Sequence, residues 1–434
     1  MKHMLRIAFA LVCLTLIGRS ASAEDWPQWR GPAFNGSTTE SGLPTAWSKT
    51  ENVAWVTPLP GLSGATPIVF GDRVFVTSVD AQYNDLLAIC LDRTDGKVLW
   101  KKKTGKDRSV ARNNMASPSP VTDGKSVFFY YGTGGLIAFD YEGKKLWERE
   151  IEKDHGPFSI MFGYSSSPLL FRGKLYIPVI QNKSANAYRQ TGWKQPLDSY
   201  LLAIDPQTGK DLWKQVRRTD AVGEAQEAYT TPIPYEGPGR RSILLTGADY
   251  FTVHDPDTGV ETWRWGAWNP RKINHWRIVP SVVTAPGIAL IGAPKHNTFF
   301  ALRLDDPEAK DPVAWTLPRP TPDASTPLYY GGRFYILDDD ARVMICVDAK
   351  TGEKKWQGSL GGDQVFRASP TGADGKIYCV NEGGRVVVLA AGDEFKILGE
   401  VTMGEGFVRS SIVAAYGKLF IRTARNLYCI GAGR

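Results

Sequence analysis

The sequence Ala-Ile-Asp-Pro-Gln-Thr-Gly-Lys-Asp-Leu-Trp at residues 203–213 is one copy of a unit that recurs along the chain, and this repetition decides the fold. In this copy a tryptophan follows a glycine by four residues. The same spacing recurs at Gly96–Trp100, Gly143–Trp147, Gly259–Trp263 and Gly352–Trp356, and Trp315 ends a further copy with Asp311 at the glycine position. An aspartate stands four residues before the glycine at Asp92, Asp205, Asp255 and Asp348.

Each copy has the residue pattern of a β-hairpin. An apolar strand ends at the aspartate, whose side chain can cap a tight turn, and the glycine supplies the positive φ that such a turn needs. A second strand follows and carries the tryptophan. A large aromatic side chain at one fixed place per repeat can fill the gap between neighbouring sheets.

The front of each unit repeats as well. A Ser-Pro or Thr-Pro pair opens a short strand, which a turn connects to a second strand, and proline at a first strand position removes no ladder hydrogen bond. The clear starts are Ser117-Pro118, Ser167-Pro168, Thr231-Pro232, Thr326-Pro327 and Ser369-Pro370, and the weaker ones are Thr66-Pro67, Pro280-Ser281 and Ser410-Ser411. Four strands per unit without helical periodicity predict the blade of a β-propeller.

The count of starts and ends predicts eight blades and the way the ring closes. The sequence contains eight blade starts and eight blade ends. Seven of the ends carry a tryptophan, at residues 55, 100, 147, 213, 263, 315 and 356, and the eighth is a degenerate copy near Leu398. Trp55 precedes the first start, whereas the last start is followed by three strands and no tryptophan strand. We therefore predict an all-β, eight-bladed propeller of four-stranded blades, in which residues 53–57 complete the last blade beside residues 427–430.

The repeat at residues 167–213 resembles the pyrroloquinoline-quinone (PQQ) type, and the resemblance covers residues 46–434. The family contains quinoprotein dehydrogenases, the outer-membrane assembly factor BamB and exported propellers of unknown role. The stretch Asp-Trp-Pro-Gln-Trp-Arg-Gly-Pro at residues 25–32 resembles the last group. We expect residues 24–45 to form an N-terminal arm that docks on the outside or the base of the ring.

Residues 1–23 have the features of a secretory signal. Lys2 and Arg6 precede an apolar stretch, and Ala-Ser-Ala at residues 21–23 is a small-residue cleavage site. The alternative is an uncleaved anchor, although the apolar run is too short to span a bilayer and no later stretch approaches roughly 18 apolar residues. These features predict a periplasmic or secreted protein without a transmembrane segment, and we expect it to be a monomer.

The net charge argues against a nucleic-acid-binding protein, and the positions of the cysteines favour free thiols. The net charge of +7 falls to +4 once Lys2, Arg6 and Arg19 are removed with the signal. This small positive charge on a large surface does not indicate nucleic-acid binding. An even number of cysteines remains for an oxidising compartment, Cys90, Cys346, Cys379 and Cys429. Three of them align with Ala138 and Ala203 in a slot that takes small apolar residues, so we expect buried free thiols. A Cys90–Cys429 bridge between adjacent blades is the alternative.

The candidate site lies on the face where the fourth strand of one blade leads to the first strand of the next. This face, which we call the long-loop face, carries the longest connections, at residues 104–115, 152–164, 214–229 and 265–277. Blade 3 adds an insertion at residues 181–199, and its aromatic residues Tyr188, Trp193 and Tyr200 favour an ordered flap. The opposite face has short Asp-x-x-Thr-Gly turns.

Residues just before each blade start should surround the mouth of the channel. The candidate ligand-binding residues are Arg112, Asn114, Tyr164, Tyr229, His275, Trp276, Arg277, Arg367 and Arg409. This aromatic and cationic set suits an acidic or sugar-like ligand, or an acidic segment of a partner protein. The alternative is that these side chains plug the channel and pair with Glu224, Glu227, Asp323 and Asp363.

The resemblance to PQQ dehydrogenases implies a vicinal disulfide, a tryptophan floor, a Ca²⁺ held by Glu and Asn, and an Asp base. The sequence has no adjacent cysteines and no recognisable Ca²⁺ or other metal-binding cluster, and Trp276 and Asp323 are isolated counterparts of the floor and the base. We therefore favour a non-catalytic scaffold that binds a ligand or a protein and needs no cofactor. A PQQ-dependent dehydrogenase of alcohols or sugars and a BamB-like assembly factor remain the alternatives.

Overall fold

The described structure, a computed structural model, comprises residues 24–108, 110, 112–183, 193, 197–237, 239–306 and 309–431. Eight separate four-stranded antiparallel sheets follow one another around a ring, which confirms the predicted eight-bladed propeller. The first strands of neighbouring blades contact one another, so they line the central channel, and each fourth strand lies at the outside. The predicted signal segment at residues 1–23 lies outside the described residues.

The strands are numbered along the chain and fall into blades of four. Blade 1 consists of β2 (Ile68–Phe70), β3 (Arg73–Asp80), β4 (Asp85–Asp92) and β5 (Val98–Lys106), and blade 2 of β6 (Val121–Thr122), β7 (Ser126–Tyr130), β8 (Gly135–Asp140) and β9 (Lys145–Glu150). Blade 3 consists of β10 (Leu169–Phe171), β11 (Lys174–Val179), β12 (Tyr200–Ile204) and β13 (Asp211–Val216), and blade 4 of β14 (Ile233–Gly237), β15 (Arg240–Gly247), β16 (Tyr250–His254) and β17 (Glu261–Trp265).

The remaining strands form the second half of the ring. Blade 5 consists of β18 (Val283–Ala285), β19 (Ile288–Gly292), β20 (Phe299–Arg303) and β21 (Val313–Leu317), and blade 6 of β22 (Leu328–Tyr330), β23 (Arg333–Asp338), β24 (Val343–Asp348) and β25 (Lys354–Ser359). Blade 7 consists of β26 (Thr371–Ala373), β27 (Lys376–Val380), β28 (Arg385–Ala390) and β29 (Ile397–Thr402), and blade 8 of β30 (Val413–Ala415), β31 (Lys418–Arg422), β32 (Asn426–Ile430) and the N-terminal strand β1 (Val53–Pro58).

Among the described residues, helical structure occurs in two short connections on the long-loop face. The helix α1 (Ile151–His155) follows blade 2, and a 3₁₀ turn (Gly223–Gln226) follows blade 3. Within the described ranges, no helix has the length and apolar character needed to cross a membrane. Much of the predicted blade 3 flap, including Tyr188, lies outside the described residues; Trp193 and Tyr200 are described.

The turns of blades 3 and 6 show the predicted aspartate cap. In blade 3 the Asp205 carboxylate accepts the Gln207 N–H at 2.8 Å, and the Gly209 N–H donates to the Asp205 carbonyl at 2.8 Å. In blade 6 the Asp348 carboxylate accepts the N–H groups of Lys350 and Thr351 at 3.0 and 2.8 Å. These backbone hydrogen bonds to Asp348 hold its pKa below the ordinary value, although burial opposes the shift.

The repeated tryptophan of one blade packs on the glycine of the turn in the next blade. A Cβ atom on these glycines would lie 2.5 to 2.8 Å from the indole, which explains why glycine recurs there; the pairs are Trp55–Gly96, Trp100–Gly143, Trp147–Gly209, Trp213–Gly259 and Trp315–Gly352. Most of these indoles also donate their N–H to a carbonyl of the same turn, as in Trp55 to Arg93 at 2.8 Å and Trp100 to Tyr141 at 2.9 Å. We call this arrangement the tryptophan–turn contact.

The small residue of the third strand lies directly across from the tryptophan in the same blade. Cys90 pairs with Trp100, Cys346 with Trp356 and Cys429 with Trp55, while Ala138, Ala203 and Ala301 pair with Trp147, Trp213 and Trp315. All four cysteines described are buried and free. The slot is therefore small because the indole opposite needs the room, as the sequence alignment anticipated.

Blade 7 has no tryptophan in its fourth strand, and a residue from another part of the chain fills the space. The position that pairs with Val388, where other blades carry the tryptophan, is Gly399, and a Cβ there would lie 2.2 Å from the Thr45 carbonyl oxygen. The chain that leads into β1 covers this position instead. Trp47 is buried in the cluster between blades 7 and 8, and its indole N–H faces the Met403 sulfur at 3.4 Å.

The N-terminal strand closes the ring as predicted. β1 pairs antiparallel with β32, from Val53 opposite Ile430 to Pro58 opposite Asn426. Trp55 then makes the tryptophan–turn contact with blade 1, and the Thr57 hydroxyl donates to the Gly96 carbonyl at 2.6 Å. Blade 8 is thus tied both to the start of the chain and to blade 1, which leaves no free sheet edge at the seam.

The N-terminal arm lies at the base of the ring and reaches into the channel. The sequence does not distinguish between docking on the outside and docking on the base of the ring, and the contacts of the arm favour the base. Trp26 exchanges backbone hydrogen bonds with Val69 of blade 1, and the backbone of residues 36–38 pairs with Gly372 of blade 7. The Asp25 carboxylate accepts the Tyr416 hydroxyl of blade 8 at 2.6 Å. The arm therefore crosses the channel between innermost strands.

One buried arginine fixes the arm in that position. The Arg30 guanidinium donates to the carbonyls of Pro327 in blade 6, Pro370 in blade 7 and Asn35 in the arm, at 2.6, 3.0 and 2.8 Å. Burial without a carboxylate partner lowers the pKa of Arg30 to about 9. A Cβ on Gly36, which has φ of 90°, would lie 2.1 Å from this guanidinium, so the glycine admits the arginine.

We predict that Trp55→Ala lowers the free energy of unfolding by about 3–5 kcal/mol, because it empties a buried aromatic position at the only seam of the ring. Val56→Ala is the matched control, since Val56 is the next residue of the same strand but is 41% exposed. The control should stay within about 0.5 kcal/mol of the wild type in urea denaturation. Equal effects of the two substitutions would contradict the closing role of Trp55.

We also predict that the mature chain contains four free thiols that do not react in the folded state. Burial raises the pKa of Cys90, Cys346 and Cys429 to about 12 each and raises that of Cys379 as well, so little thiolate forms at pH 8. A chromogenic disulfide reagent should titrate none in buffer and four in denaturant without reductant. Two or none in denaturant would show that bridges form.

Candidate functional site

The middle of the ring contains a cavity of about 630 Å³, which we call the chamber. Its volume lies within the range of roughly 300–1,000 Å³ that is typical of small-molecule sites. The upper lining comes from the connections of the long-loop face, namely Arg112, Asn113, Phe162, Tyr229, Arg277, Asp323, Arg367, Glu382 and Arg409. Below these residues lies a circle of hydroxyl side chains, and Trp29 of the arm contributes from the base.

The circle of hydroxyls, here the hydroxyl ring, takes one residue from the start of each blade. Its members are Thr66, Ser119, Ser167, Thr231, Ser281, Thr326, Ser369 and Ser411. Seven of the eight steps around the ring are hydrogen bonds of 2.9 to 3.2 Å, in which the backbone N–H of one member donates to the side-chain oxygen of the next. The ring thus ties the innermost strands of neighbouring blades together.

These bonds leave hydrogen-bonding capacity for a ligand. In each of them the hydroxyl oxygen is the acceptor, so its own O–H hydrogen stays available. The members all line the chamber, and a hydroxyl can both donate and accept. The lower chamber therefore presents a circle of donors that are held in place by the scaffold.

The register of two blade starts differs from the sequence assignment. In blade 2 the ring member that stands two residues before the first strand is Ser119, not Ser117, and in blade 8 it is Ser411 rather than Ser410. Residues 117–120 read Ser-Pro-Ser-Pro, so the pattern fits at either place. The strand pairing and the ring hydrogen bonds decide between them.

Arg367 is held at the chamber wall by two acidic residues of blade 6. Its guanidinium donates to the Asp339 carboxylate at 2.6 Å and lies 2.8 Å from the Asp340 carboxylate. The same Asp339 carboxylate accepts the backbone N–H groups of Asp323 and Ala324 at 2.8 and 3.0 Å. Burial raises the pKa of Asp339, and the charge of Arg367 counteracts that shift.

His296 stands beside the same acids. His296, Asp339 and Asp340 are close enough to share a metal ion, the one such group in the described part of the chain. However, protein donors already occupy both oxygens of Asp339, and the imidazole contacts the Thr321 carbonyl at 2.6 Å and Asp340 at 3.0 Å. The cluster is accounted for by its role in holding Arg367 and the loop around Asp323.

Arg409, which precedes blade 8, links the connection that carries it to Glu382 of blade 7 and to the connection between blades 1 and 2. Its Nε donates to the Glu382 carboxylate at 2.7 Å, and a second nitrogen donates to the Arg112 carbonyl. Arg112 has a left-handed backbone with φ of 66°, an exposed side chain and a guanidinium 5.5 Å from the centre of the Phe162 ring. Arg409 thus fixes the backbone of Arg112 while the Arg112 charge faces solvent and the chamber.

Arg277 is the most deeply placed cation of the upper lining, with 8% of its surface exposed. Its nearest acidic atoms are an oxygen of Glu224 at 3.4 Å and one of Asp323 at 3.5 Å. Neither contact is a hydrogen bond, and Nε and Nη1 of Arg277 and Oδ1 of Asp323 are buried without a hydrogen-bond partner. The guanidinium also stacks 5.3 Å from the centre of the Phe162 ring.

Tyr229 and Phe162 form the aromatic part of the wall. The Tyr229 hydroxyl donates to the Glu227 carboxylate at 3.1 Å and accepts the Phe162 N–H at 3.3 Å. Burial raises the pKa of both Tyr229 and Glu227. Since Glu227 also accepts the Met161 N–H at 2.9 Å, this wall is internally hydrogen bonded.

Five of the nine candidate residues come together at the chamber: Arg112, Tyr229, Arg277, Arg367 and Arg409. The other four lie elsewhere. The Asn114 amide donates to the Leu62 carbonyl at 3.2 Å, and the buried Tyr164 hydroxyl donates to the Pro178 carbonyl at 2.6 Å. His275 is exposed, and Trp276 packs against the apolar cluster of blades 3 to 5.

Several lining residues escaped the sequence reasoning. Phe162 and Glu382 belong to connections whose length gave no single residue prominence, and Trp29 enters from the arm. The hydroxyl ring did leave a signal, since a Ser or Thr stands at the start of every blade. In the sequence this signal indicates only the start of a strand, whereas the hydrogen bonds show that it also marks the hydroxyl ring.

The lining has a definite chemical character. Four arginines and two carboxylates, Asp323 and Glu382, line the chamber. Arg277, Arg367 and Arg409 each lie near a carboxylate, whereas Arg112 makes no ion pair with a described residue. Aromatic rings and hydroxyl donors complete the surface. Such a chamber can hold a ligand that is anionic and rich in hydrogen-bonding oxygens.

Comparison with known proteins places the chain among proteins of this architecture. The family model described as outer membrane protein assembly factor BamB matches residues 34–201 and 305–394. A polyvinylalcohol dehydrogenase of a Pseudomonas species is 26% identical over 196 residues, which is 45% of this chain and 29% of that protein. The chain therefore matches less than a third of the length of this relative.

Solved structures share the fold at low identity. BamB from Moraxella catarrhalis superposes with a TM-score of 0.60 at 13% identity, over 86% of this chain and 97% of that one. A europium-containing methanol dehydrogenase superposes with a TM-score of 0.71 at 11% identity, over 94% and 98% of the two chains. With the family model matching more than half of the residues, this chain belongs to the PQQ-repeat β-propeller family that the model describes as outer membrane protein assembly factor BamB.

Proposed function

We propose that this protein is an exported, non-catalytic β-propeller that binds a ligand in the chamber from the long-loop face. The ligand is acidic or sugar-like, either a small molecule or an acidic segment of a partner protein. The observation that carries the proposal is the lining of the chamber, where four arginines lie above a ring of hydroxyl groups. Arg112 makes no ion pair with a described residue, and the buried guanidinium of Arg277 makes no hydrogen bond to one, so both can still bind an anionic group.

The geometry of the two faces supports the long-loop face as the entrance. The opposite face consists of tight turns whose backbone is fixed by aspartate caps and by the tryptophan–turn contacts. The arm covers the channel from that side and brings Trp29 to the chamber. A ligand that reaches the hydroxyl ring has the long-loop face as its direct route.

A PQQ-dependent dehydrogenase is the alternative that the names of several relatives suggest. The resemblance to the family implies a metal ion such as Ca²⁺ beside the quinone, and Ca²⁺ takes 6–8 oxygen ligands in proteins. The two acids that line the chamber both face arginines, Glu382 with Arg409 at 2.7 Å and Asp323 with Arg277 at 3.5 Å. The Asn113 amide oxygen accepts the Ser117 hydroxyl. This donor set does not fit a Ca²⁺–quinone pair.

The cysteines argue in the same direction. The dehydrogenases of the family place a vicinal disulfide next to the quinone, whereas no two cysteines are adjacent in this chain. The four that the structure describes are buried inside blades, opposite tryptophans or in a second strand. They support packing rather than redox chemistry at the chamber.

A BamB-like role in assembling membrane proteins is a second candidate, favoured by the match to the family model and by the similar extent of the Moraxella structure. It is a form of the same proposal, in which the ligand is a segment of a partner protein. Such a segment would have to carry acidic side chains to complement Arg112, Arg277 and Arg409.

We predict that replacing Arg112 and Arg409 together by Gln weakens ligand binding at least 10-fold, because two charges at the chamber mouth are lost. Arg367 is left intact, since its removal would strand the buried Asp339 carboxylate. The measurement is a thermal-shift screen with acidic, neutral and cationic small molecules, followed by calorimetry on each compound that stabilises the protein.

The control for this experiment removes two positive charges from the opposite face. Arg172→Gln with Lys210→Gln is suitable, because both side chains are exposed near the turns of blade 3. The control should retain the affinity of the wild type. If the chamber variant keeps its affinity and the control loses it, the binding face is the one that carries the turns.

We predict further that the purified protein supplied with PQQ and Ca²⁺ does not reduce an artificial dye in the presence of alcohols or sugars. A quinoprotein alcohol dehydrogenase assayed in parallel provides the positive control. Turnover above the level of a heat-denatured sample would refute the non-catalytic assignment and favour the dehydrogenase.

A further inference from the structure

We infer that the chamber recognises a sugar acid, that is, a saccharide whose units carry both carboxylate and hydroxyl groups. The inference rests on the proposed function and names the class of its ligand. It is carried by the Arg277–Asp323 pair, together with the hydroxyl ring beneath it.

The first step concerns the unused donors of Arg277. A guanidinium carries five N–H groups, and none of those on Arg277 makes a hydrogen bond to a described residue, although the side chain is more than nine-tenths buried. Buried donors without partners are costly, and ion-pair contacts at 3.4 and 3.5 Å offset the charge without satisfying them. A carboxylate is the acceptor that matches a guanidinium best.

The second step concerns the neighbouring acceptor. Asp323 makes no hydrogen bond through its carboxylate, and its Oδ1 is buried without a partner. Both side chains line the chamber, and neither is held by a hydrogen bond to a described residue. A ligand that offers only acceptors would satisfy Arg277 and repel Asp323, whereas a hydroxyl beside a carboxylate satisfies both.

The third step concerns the rest of the chamber. Arg112 makes no ion pair within the described part of the chain and contacts the same Phe162 ring as Arg277, so a second carboxylate can be met at the mouth. Below, the hydroxyl ring offers O–H donors, and Trp29 offers an aromatic surface. Sugar hydroxyls accept from such donors, and the apolar face of a pyranose packs on an indole.

The test separates charge from hydroxyl recognition with three matched compounds. Calorimetry compares trigalacturonate, its trimethyl ester, which keeps the hydroxyls but has no charge, and benzene-1,3,5-tricarboxylate, which keeps three charges but has no hydroxyls. We expect trigalacturonate to bind at least 10-fold more tightly than either of the others.

Substitution at the pair provides the second part of the test. Arg277→Gln should weaken trigalacturonate binding by roughly 10- to 100-fold, the loss expected for hydrogen bonds to a charged group, and should change ester binding less than about threefold. Arg112→Gln, at an exposed position where folding is not at risk, should weaken trigalacturonate binding in the same direction. Arg172→Gln on the opposite face is the charge-matched control.

Four results would overturn the inference: no trigalacturonate binding at millimolar concentration, equal binding of the ester, equal binding of the benzene tricarboxylate, or no loss in Arg277→Gln and Arg112→Gln. In each case the proposed function stands if another compound of the screen loses affinity in the Arg112 and Arg409 double variant. It falls only if binding depends on the opposite face or if PQQ supports turnover.

Discussion

The tryptophan–turn contact is the interaction on which the rest of the molecule depends. An indole at the outside of one blade packs on the glycine of the next turn and, in most blades, donates a hydrogen bond to it. Burial of about 150–250 Å² per aromatic ring is worth roughly 4–6 kcal/mol by area. The contact also explains two sequence features at once, the glycine that admits the ring and the small residue that faces it across the blade. Because it acts between blades, it fixes the angle between them and so the width of the channel.

The channel in turn has two different linings because the blades contribute two kinds of residue to it. Blade starts contribute the hydroxyl ring, whose backbone hydrogen bonds repeat the symmetry of the scaffold. The connections contribute arginines and aromatic rings at positions that differ from blade to blade. The residues that hold the blades together and the residues that line the upper chamber are thus only a few positions apart along the chain. The buried Asp339 shows how the two are joined, since it binds both Arg367 and the backbone that carries Asp323.

Periodicity allowed most of the fold to be predicted, and departures from periodicity account for what was missed. The spacing from Gly209 to Trp213 and its copies predicted the hairpins, the blade number and the closing role of Trp55. The Ser-Pro-Ser-Pro stretch at residues 117–120 is ambiguous in sequence, and only strand pairing resolves it. Trp47 replaces the missing tryptophan of blade 7 from a distant part of the chain, a relation that no local pattern carries. The same holds for Trp29, because the place of the arm exists only once the ring has formed.

The pairing of β1 with β32 also has a consequence in time. Val53 and Ile430 are neighbours in space, yet a ribosome makes almost the whole ring between them. The first strand must therefore stay unpaired throughout synthesis, and the closing step brings together the most distant segments of the chain at the greatest loop entropy. The arm, whose Arg30 binds carbonyls of blades 6 and 7, can reach its final place only after those blades have formed. The base of the chamber, although encoded first, is completed last.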